Sequence, residues 1–205
     1  MRAKILQMGE ESIARAATEV RRGGLVVYPT DTVYGLGCDP FNQAAVRRLF
    51  EAKGRDSKPI PVLCASTEKA QGMVELNGRA LELAHRFWPG ALTIVAPLRR
   101  YVPSQLSQGK PFLGVRVPNH SGCLGLIAAC GGWLTGTSAN VSGRPSSRSA
   151  ADALDQIGNA VDLILDGGRL AGTESTVVQV DGNEVTILRT GLIGVGNELK
   201  DRRTS

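Results

Sequence analysis

The chain has 205 residues, of which 42% are hydrophobic and 21% are charged, an ordinary balance for a globular protein. Lys and Arg outnumber Asp and Glu by 24 to 19, which favours anionic partners but does not separate nucleotides from nucleic acids. Aromatic residues make up only 4%, which argues against RNA recognition on stacked aromatic side chains. No apolar segment approaches bilayer length, and the N-terminus lacks a signal-peptide core, so we expect a soluble protein with no membrane partner.

The chain contains four cysteines, at positions 38, 64, 123 and 130, without a CxxC pair or the spacing of a metal site. Apolar neighbours around Cys64 and Cys130 predict buried free thiols. Free thiols are typical of a reducing compartment, so we predict a cytoplasmic location.

Predicted helices and strands alternate along the chain. Residues 10–22 have helical spacing and end at Gly23-Gly24, and residues 25–29 read as a buried strand. Further helices are predicted from about residue 43 and over 67–74, 78–87, 124–130 and 150–158; further strands are predicted near residue 60 and over 91–96, 113–118, 161–166, 175–180 and 184–188. The pattern predicts one α/β domain with a mixed sheet over residues 1–193, followed by a polar tail over 194–205.

Three cations, Lys53, Arg55 and Lys58, fall within six positions between a predicted helix and a predicted strand. We predict that they lie on the connection between these elements, where side chains and backbone N–H groups can converge on one anion. Crowded cations repel one another unless a counter-charge joins them, and phosphate is the natural one. A solvated run of charges is the alternative reading.

Four segments rich in glycine and small hydroxyl residues follow predicted strands: residues 30–37, 135–143, 167–176 and 190–191. Ligands bind at strand ends in open α/β sheets, so these segments predict one shared pocket, although turn chemistry could explain any one of them. Neither nucleotide fingerprint is complete, because Thr173 stands where a P-loop has its lysine and Pro40 replaces the third glycine of GxGxxG.

Metal and nucleophile signals are weak. His85 and His120 are the only histidines, and nothing pairs either with a Ser or Cys nucleophile. Asp31, Asp166 and Glu174 could hold Mg²⁺ through water, but capping or turn roles are equally open, and no direct metal motif is present.

Six segments in order resemble the motifs of the YrdC-type threonylcarbamoyl-AMP synthases. They are YPTDTVYGLG at 28–37, KGR at 53–55, VRVP at 115–118, SANVSG at 138–143, ESTVV at 174–178 and LRTG at 188–191. The resemblance runs from about residue 11 to residue 193, and the chain is similar to the short, single-domain form.

The resemblance implies an open twisted α/β fold with flanking helices and a positively charged cavity. It also implies a nucleotidyltransferase that makes threonylcarbamoyl-AMP and pyrophosphate from L-threonine, bicarbonate and ATP, with Mg²⁺ accompanying the ATP. The product would serve threonylcarbamoyl modification of tRNA adenosine 37 through downstream threonylcarbamoyl-transferase proteins.

The same resemblance assigns two sets of site residues. The L-threonine-binding set is Thr32, Arg116, Gly136 and Ser175. The ATP-binding set is Lys53, Arg55, Lys58, Ser138, Asn140, Ser146 and Arg189, with Lys53 and Arg55 also assigned to catalysis. The connection at residues 56–59 is shorter than in many family members, and the aligned position near Leu63 has no histidine, so the pattern around Lys58 departs from that of the family.

Two other functions stay open from sequence. The basic cavity could bind tRNA or another double-stranded RNA, as in a ribosome-maturation protein. A carbamoyl-transfer module like that of hydrogenase-maturation proteins would be expected in a longer chain with zinc-finger-like segments.

Overall fold

The structure is a computed structural model that describes residues 2–54 and 58–194. Within them the helices are α1 (Glu10–Arg21), α2 (Gln43–Lys53), α3 (Thr67–Gln71), α4 (Gly78–Phe87), α5 (Ser104–Ser107), α6 (Ser121–Ala129) and α7 (Ala150–Ile157). The strands are β1 (Lys4–Gln7), β2 (Val26–Tyr28), β3 (Gly35–Gly37), β4 (Val62–Cys64), β5 (Leu92–Pro97), β6 (Phe112–Arg116), β7 (Trp133–Thr135), β8 (Thr137–Ser138), β9 (Leu163–Asp166), β10 (Thr176–Asp181) and β11 (Glu184–Arg189).

Local signals fix both ends of α2, the helix that carries Lys53. At its start, the side chain of Asn42 accepts a hydrogen bond from the backbone N–H of Ala45. At its end, Gly54 adopts the left-handed conformation with φ 57°, which glycine reaches without the strain of a Cβ atom. The helix therefore ends directly after Lys53.

The strands form two mixed sheets. The five-stranded sheet has the order β1-β9-β2-β3-β8, with β9 parallel to both β1 and β2 and antiparallel pairing from β2 to β8. The six-stranded sheet has the order β11-β10-β5-β6-β4-β7, with parallel pairs β10·β5 and β4·β6. Helices α1 and α6 pack on the first sheet through Ala16, Val20 and Leu126 against Val26 and Leu163.

Gly136 joins the two sheets. It is the one residue between β7, an edge of the six-stranded sheet, and β8, an edge of the five-stranded sheet. A Cβ atom at this position would lie 2.5 Å from Cγ of Leu63, so a larger residue would push β4 away. The N–H of Gly136 donates to the carbonyl of Pro61 at 2.8 Å, which ties the crossing to the segment before β4.

The α/β class with open mixed sheets and flanking helices is confirmed. The prediction of a single sheet is corrected to two. The predicted placement of Lys53 on a connection is also wrong, because Lys53 is the last residue of α2. Strands β1, β3, β7 and β8 and helix α5 are not among the predicted elements. The predicted polar tail falls mostly on residues 195–205, outside the described residues.

The remaining predicted elements are present, with shifted ends in several cases. Helix α4 has the predicted bounds, and the predicted hairpin is formed by β10 and β11. No helix within the described parts of the chain is long and apolar enough to cross a bilayer.

The cap at Asn42 gives a stability prediction. Replacing Asn42 with Ala removes the acceptor for the Ala45 N–H, and we expect the free energy of unfolding to fall by about 1 kcal/mol in urea denaturation. Asn42→Asp keeps a side-chain oxygen at the helix start and is expected to retain the wild-type stability. Equal losses in both variants would contradict the capping role.

Candidate functional site

A cavity of about 1130 Å³ is lined by residues of both sheets. Its walls come from the segment after β2, the end of α2, strands β4, β5 and β6, the segment from Gly136 to Ser146, and β10 and β11. This volume lies just above the range typical of pockets for single small ligands, so it has room for two small substrates side by side.

The structure brings ten of the eleven predicted site residues to this cavity. They are Thr32, Lys53, Lys58, Arg116, Gly136, Ser138, Asn140, Ser146, Ser175 and Arg189. Arg55 lies outside the described residues. Segments far apart in sequence therefore meet at one place. Three of the four glycine- and hydroxyl-rich segments contribute to the lining, whereas residues 190–191 are not among the lining residues.

The lining is rich in cations. Among the described lining residues the cationic side chains are Lys53, Lys58, Lys110, Arg116, Arg144 and Arg189, and Glu174 is the one carboxylate. Cations that share a cavity with low-dielectric walls focus a positive potential into it. An anionic ligand would reduce their mutual repulsion.

Arg116, at the end of β6, is held from three directions. Its Nε donates to the carbonyl of Gly90 at 2.8 Å, its Nη1 donates to Oγ1 of Thr32 at 3.2 Å, and its Nη2 donates to the carboxylate of Asp31. The Arg116 side chain is 6% exposed and that of Asp31 is 14% exposed. A guanidinium has five N–H groups, so two have no partner among the described residues and can bind a ligand carboxylate.

Lys53 is 1% exposed and lies under the segment after β8. Its ammonium donates to the carbonyl of Ser138 at 2.5 Å and to Oδ1 of Asn140 at 2.8 Å. The Asn140 side-chain N–H group in turn donates to the carbonyl of Arg144 at 2.6 Å. The buried ammonium therefore fixes the shape of this wall of the cavity as well as adding charge to it.

Arg189, at the end of β11, belongs to the predicted ATP-binding set and forms hydrogen bonds with Ser175 of the predicted L-threonine-binding set. Its Nε and Nη2 donate to the carbonyl and hydroxyl of Ser175, each at 3.0 Å, and its Nη1 donates to Glu174. Glu174 also accepts the hydroxyl proton of Ser146 at 2.6 Å. The Ser175 hydroxyl lies 3.0 Å from that of Thr93, so a continuous network links Ser146 to Thr93.

Several lining residues carry no site signal in the sequence. Thr93 is 3% exposed and reaches the cavity through the register of β5 against β10, which no local pattern encodes. Lys110 and Arg144 had been read only as part of the overall charge. Glu174 was a candidate for water-mediated Mg²⁺ binding or for a capping or turn role, and its position in a strand-end motif marked it as a lining candidate.

The cysteine thiols offer no nucleophile. Burial raises the pKa of Cys38 to about 12 and that of Cys130 to about 11, and it raises the pKa values of Cys64 and Cys123 as well. All four thiols are therefore protonated at neutral pH, and all four are free cysteines. The chemistry of this cavity rests on charge and hydrogen bonding.

No group of three or more His, Cys, Asp or Glu side chains within the described residues could hold a metal ion. Mg²⁺ is commonly bound by one or two carboxylates together with substrate phosphates. Glu174 supplies a carboxylate in the cavity, so these residues fit a Mg²⁺ ion that arrives with a triphosphate better than a resident metal.

Known proteins are similar to this chain in sequence and fold. The family model Sua5_yciO_yrdC, described as "Telomere recombination", matches residues 18–191. The chain is 40% identical over 185 residues to the threonylcarbamoyl-AMP synthase of Pyrococcus abyssi, covering 89% of this chain and 54%, about half, of that protein. It is 39% identical over 179 residues to the threonylcarbamoyl-AMP synthase of Halorhodospira halophila, covering 86% and 93% of the two chains.

A solved structure agrees with the sequence matches. The crystal structure of P. abyssi Sua5 complexed with L-threonine superposes with a TM-score of 0.85 at 37% identity, covering 93% of this chain and 57% of that chain. That level of agreement extends the similarity from the motifs to the arrangement of the strands that line the cavity.

The Glu174 carboxylate occupies the donors that an incoming anion needs, which gives a binding prediction. Glu174→Gln removes a competing charge from Arg189 and Ser146, so we expect the affinity for pyrophosphate to rise about fivefold, measured by calorimetry with a chelator present to exclude metals. Glu184→Gln on exposed β11 makes the same change in net charge and is expected to stay within about twofold of wild type. Weaker binding by Glu174→Gln would show that Glu174 organises Arg189 instead of competing with the ligand.

Proposed function

The chain belongs to the Sua5/YciO/YrdC family, and on that premise we propose that it is an L-threonylcarbamoyladenylate synthase. It would use L-threonine, bicarbonate and ATP, and release pyrophosphate. The proposal is supported by relatives that carry the name threonylcarbamoyl-AMP synthase, one of which the chain matches over 93% of its length.

The observation that carries the proposal is the distribution of charge and donors in the cavity. Arg116 offers two N–H groups from a guanidinium held by three partners, which suits an amino-acid carboxylate. Lys53, Arg144 and Arg189 line the same cavity and are suited to a triphosphate. One cavity thus contains groups suited to a carboxylate and groups suited to phosphates.

The proposed reaction needs no protein nucleophile. The threonine amine captures carbon dioxide or bicarbonate to form a carbamate. A carbamate oxygen then attacks the α-phosphorus of ATP, and pyrophosphate leaves with the electrons of the broken P–O bond. The protein would contribute positioning of the two substrates and stabilisation of charge in the phosphoryl transition state, which is consistent with the protonated cysteines.

We assign the residue roles accordingly. Thr32, Arg116, Ser175 and the backbone at Gly136 would contact threonine; because the Gly136 N–H already donates to Pro61, its carbonyl is the group left for a ligand. Lys53, Arg55, Lys58, Ser138, Asn140, Ser146 and Arg189 would surround ATP. Mg²⁺ would supply charge neutralisation on the triphosphate, with Glu174 as the nearby carboxylate.

The cavity, with a volume of about 1130 Å³, is of a size for small substrates, whereas duplex RNA is recognised across an extended surface. We propose that the adenylate, a reactive mixed anhydride, passes to a threonylcarbamoyl-transferase that modifies tRNA adenosine 37. Four free thiols, three of them buried, support a cytoplasmic location.

Pyrophosphate release tests the proposal directly. The protein is incubated with MgATP, L-threonine and bicarbonate, and pyrophosphate is measured by a coupled enzyme assay. We expect release only when threonine and bicarbonate are both present. Release at the same rate without threonine would contradict the proposal.

Arg116→Lys tests the assignment of the carboxylate site. Lysine cannot donate simultaneously to Gly90, Thr32 and Asp31 and still present a planar pair of N–H groups. We expect the KM for threonine to rise at least about tenfold and the KM for ATP to change by less than about threefold, from initial rates of pyrophosphate release. Lys110→Arg, also on the cavity wall, is the matched control. Equal increases in both KM values would reject the assignment.

A further inference from the structure

A chain of hydrogen bonds leads from Arg116 through two threonine hydroxyls at the wall of the cavity. Thr30 and Thr32 are 4% and 3% exposed, and both line the cavity. Oγ1 of Thr30 lies 2.7 Å from the carbonyl oxygen of Val33 and 2.9 Å from Oγ1 of Thr32. Thr30 Oγ1 also accepts the backbone N–H of Thr32 at 3.0 Å, and Thr32 Oγ1 accepts from Nη1 of Arg116 at 3.2 Å.

The direction of this chain follows from the single proton of each hydroxyl. A carbonyl oxygen only accepts, so the 2.7 Å contact requires Thr30 to donate its proton to Val33. Thr30 then has no proton for Thr32, and Thr32 must donate across the 2.9 Å contact. Because arginine only donates, Thr32 accepts from Arg116. The order of donation is therefore Arg116 to Thr32, Thr32 to Thr30, and Thr30 to Val33.

With this order of donation, the Thr32 hydroxyl can only accept a hydrogen bond from a ligand. Its proton is committed to Thr30 and one lone pair to Arg116, so one lone pair remains. A ligand N–H or O–H can bond to it. A carboxylate or phosphate oxygen, which only accepts, would meet a lone pair with no proton between them and would be disfavoured.

We propose that Thr30 is a positioning residue that makes the Thr32 hydroxyl an acceptor, and that Thr32 receives an N–H from the α-amino group of the substrate. The identity of that substrate as an amino acid rests on the proposed function. Thr30 acts only through Thr32, because its own oxygen already makes one donated and two accepted hydrogen bonds.

The neighbouring groups favour the amine over the substrate hydroxyl. Arg116 is the carboxylate site, and its Nη1 is the atom bonded to Thr32. In an α-amino acid the amine is attached to the carbon next to the carboxylate, whereas the hydroxyl of threonine is one carbon further away. A neutral amine that donates to Thr32 keeps its own lone pair free to attack carbon dioxide.

The matched variants are Thr30→Val, which keeps the shape and removes the hydroxyl, and Thr30→Ser, which keeps the hydroxyl. Binding is measured by calorimetry without ATP, for L-threonine and for 3-hydroxybutanoate, which lacks the amine. In Thr30→Val the Thr32 proton loses its acceptor, so we expect about fivefold weaker binding of L-threonine and unchanged binding of 3-hydroxybutanoate. In Thr30→Ser we expect the ratio of the affinities for L-threonine and 3-hydroxybutanoate to equal that of wild type.

The ratio of the two affinities separates positioning from structural damage. Thr30→Val also leaves the Val33 carbonyl and the Thr32 N–H without their partner, so some loss of stability is expected and is followed by thermal unfolding. A general distortion would weaken both ligands equally. An equal loss for both ligands, or no loss for L-threonine, would overturn the proposal.

A measurement without substrate separates this inference from the proposed function. In protein labelled with ¹³C-threonine, we expect a slowly exchanging Thr32 hydroxyl proton in the NMR spectra of wild type and Thr30→Ser, lost in Thr30→Val. Absence of that signal from wild type would show that the proposed order of hydrogen-bond donation is wrong. This conclusion would hold whichever reaction the protein catalyses. Presence of the Thr32 hydroxyl signal together with no pyrophosphate release would support the order of hydrogen-bond donation. That result would count against the proposed function alone.

Discussion

Arg116 lies between the two sheets and forms polar contacts that tie them together at the wall of the cavity. It belongs to β6 of the six-stranded sheet, and its guanidinium reaches Asp31 and Thr32, which follow β2 of the five-stranded sheet. Removing one partner from a buried ion pair is strongly destabilising because the other charge is left in a poorly solvated place. The separation of the sheets, and with it the width of the cavity, is therefore coupled to this one side chain and its three partners.

Two other cations of the cavity also have internal hydrogen-bond partners. The Lys53 ammonium donates to a carbonyl and an amide oxygen, and Arg189 donates to Glu174 and Ser175. The cationic side chains that line the cavity together give it a positive potential. A protein that collects cations at one site thereby loses some folding free energy, which an anionic ligand restores on binding.

Sequence predicted the elements whose signals are local. Helix α4 was predicted over its observed bounds, because its spacing of apolar residues and the following proline define it without tertiary information. Strands β3 and β8 are three and two residues long, and their existence depends on pairing between distant segments, so no periodicity could reveal them. The strand-end segments and family motifs indicated where the pocket would lie, whereas Thr93 enters it only through the register of β5.

Residue type alone could not show which hydroxyl groups of the cavity have a proton available for a ligand. The hydroxyls of Thr32 and Ser146 illustrate this. The Thr32 proton is committed to Thr30, which leaves an acceptor already in place for an amine. The Ser146 proton is committed to Glu174, but phosphate oxygens only accept, so Ser146 can bond one only after its proton leaves Glu174. On the proposed function, the amino acid would therefore bind to an arrangement that is already in place. The nucleotide would have to displace an internal carboxylate, and part of its binding free energy would be used in that exchange.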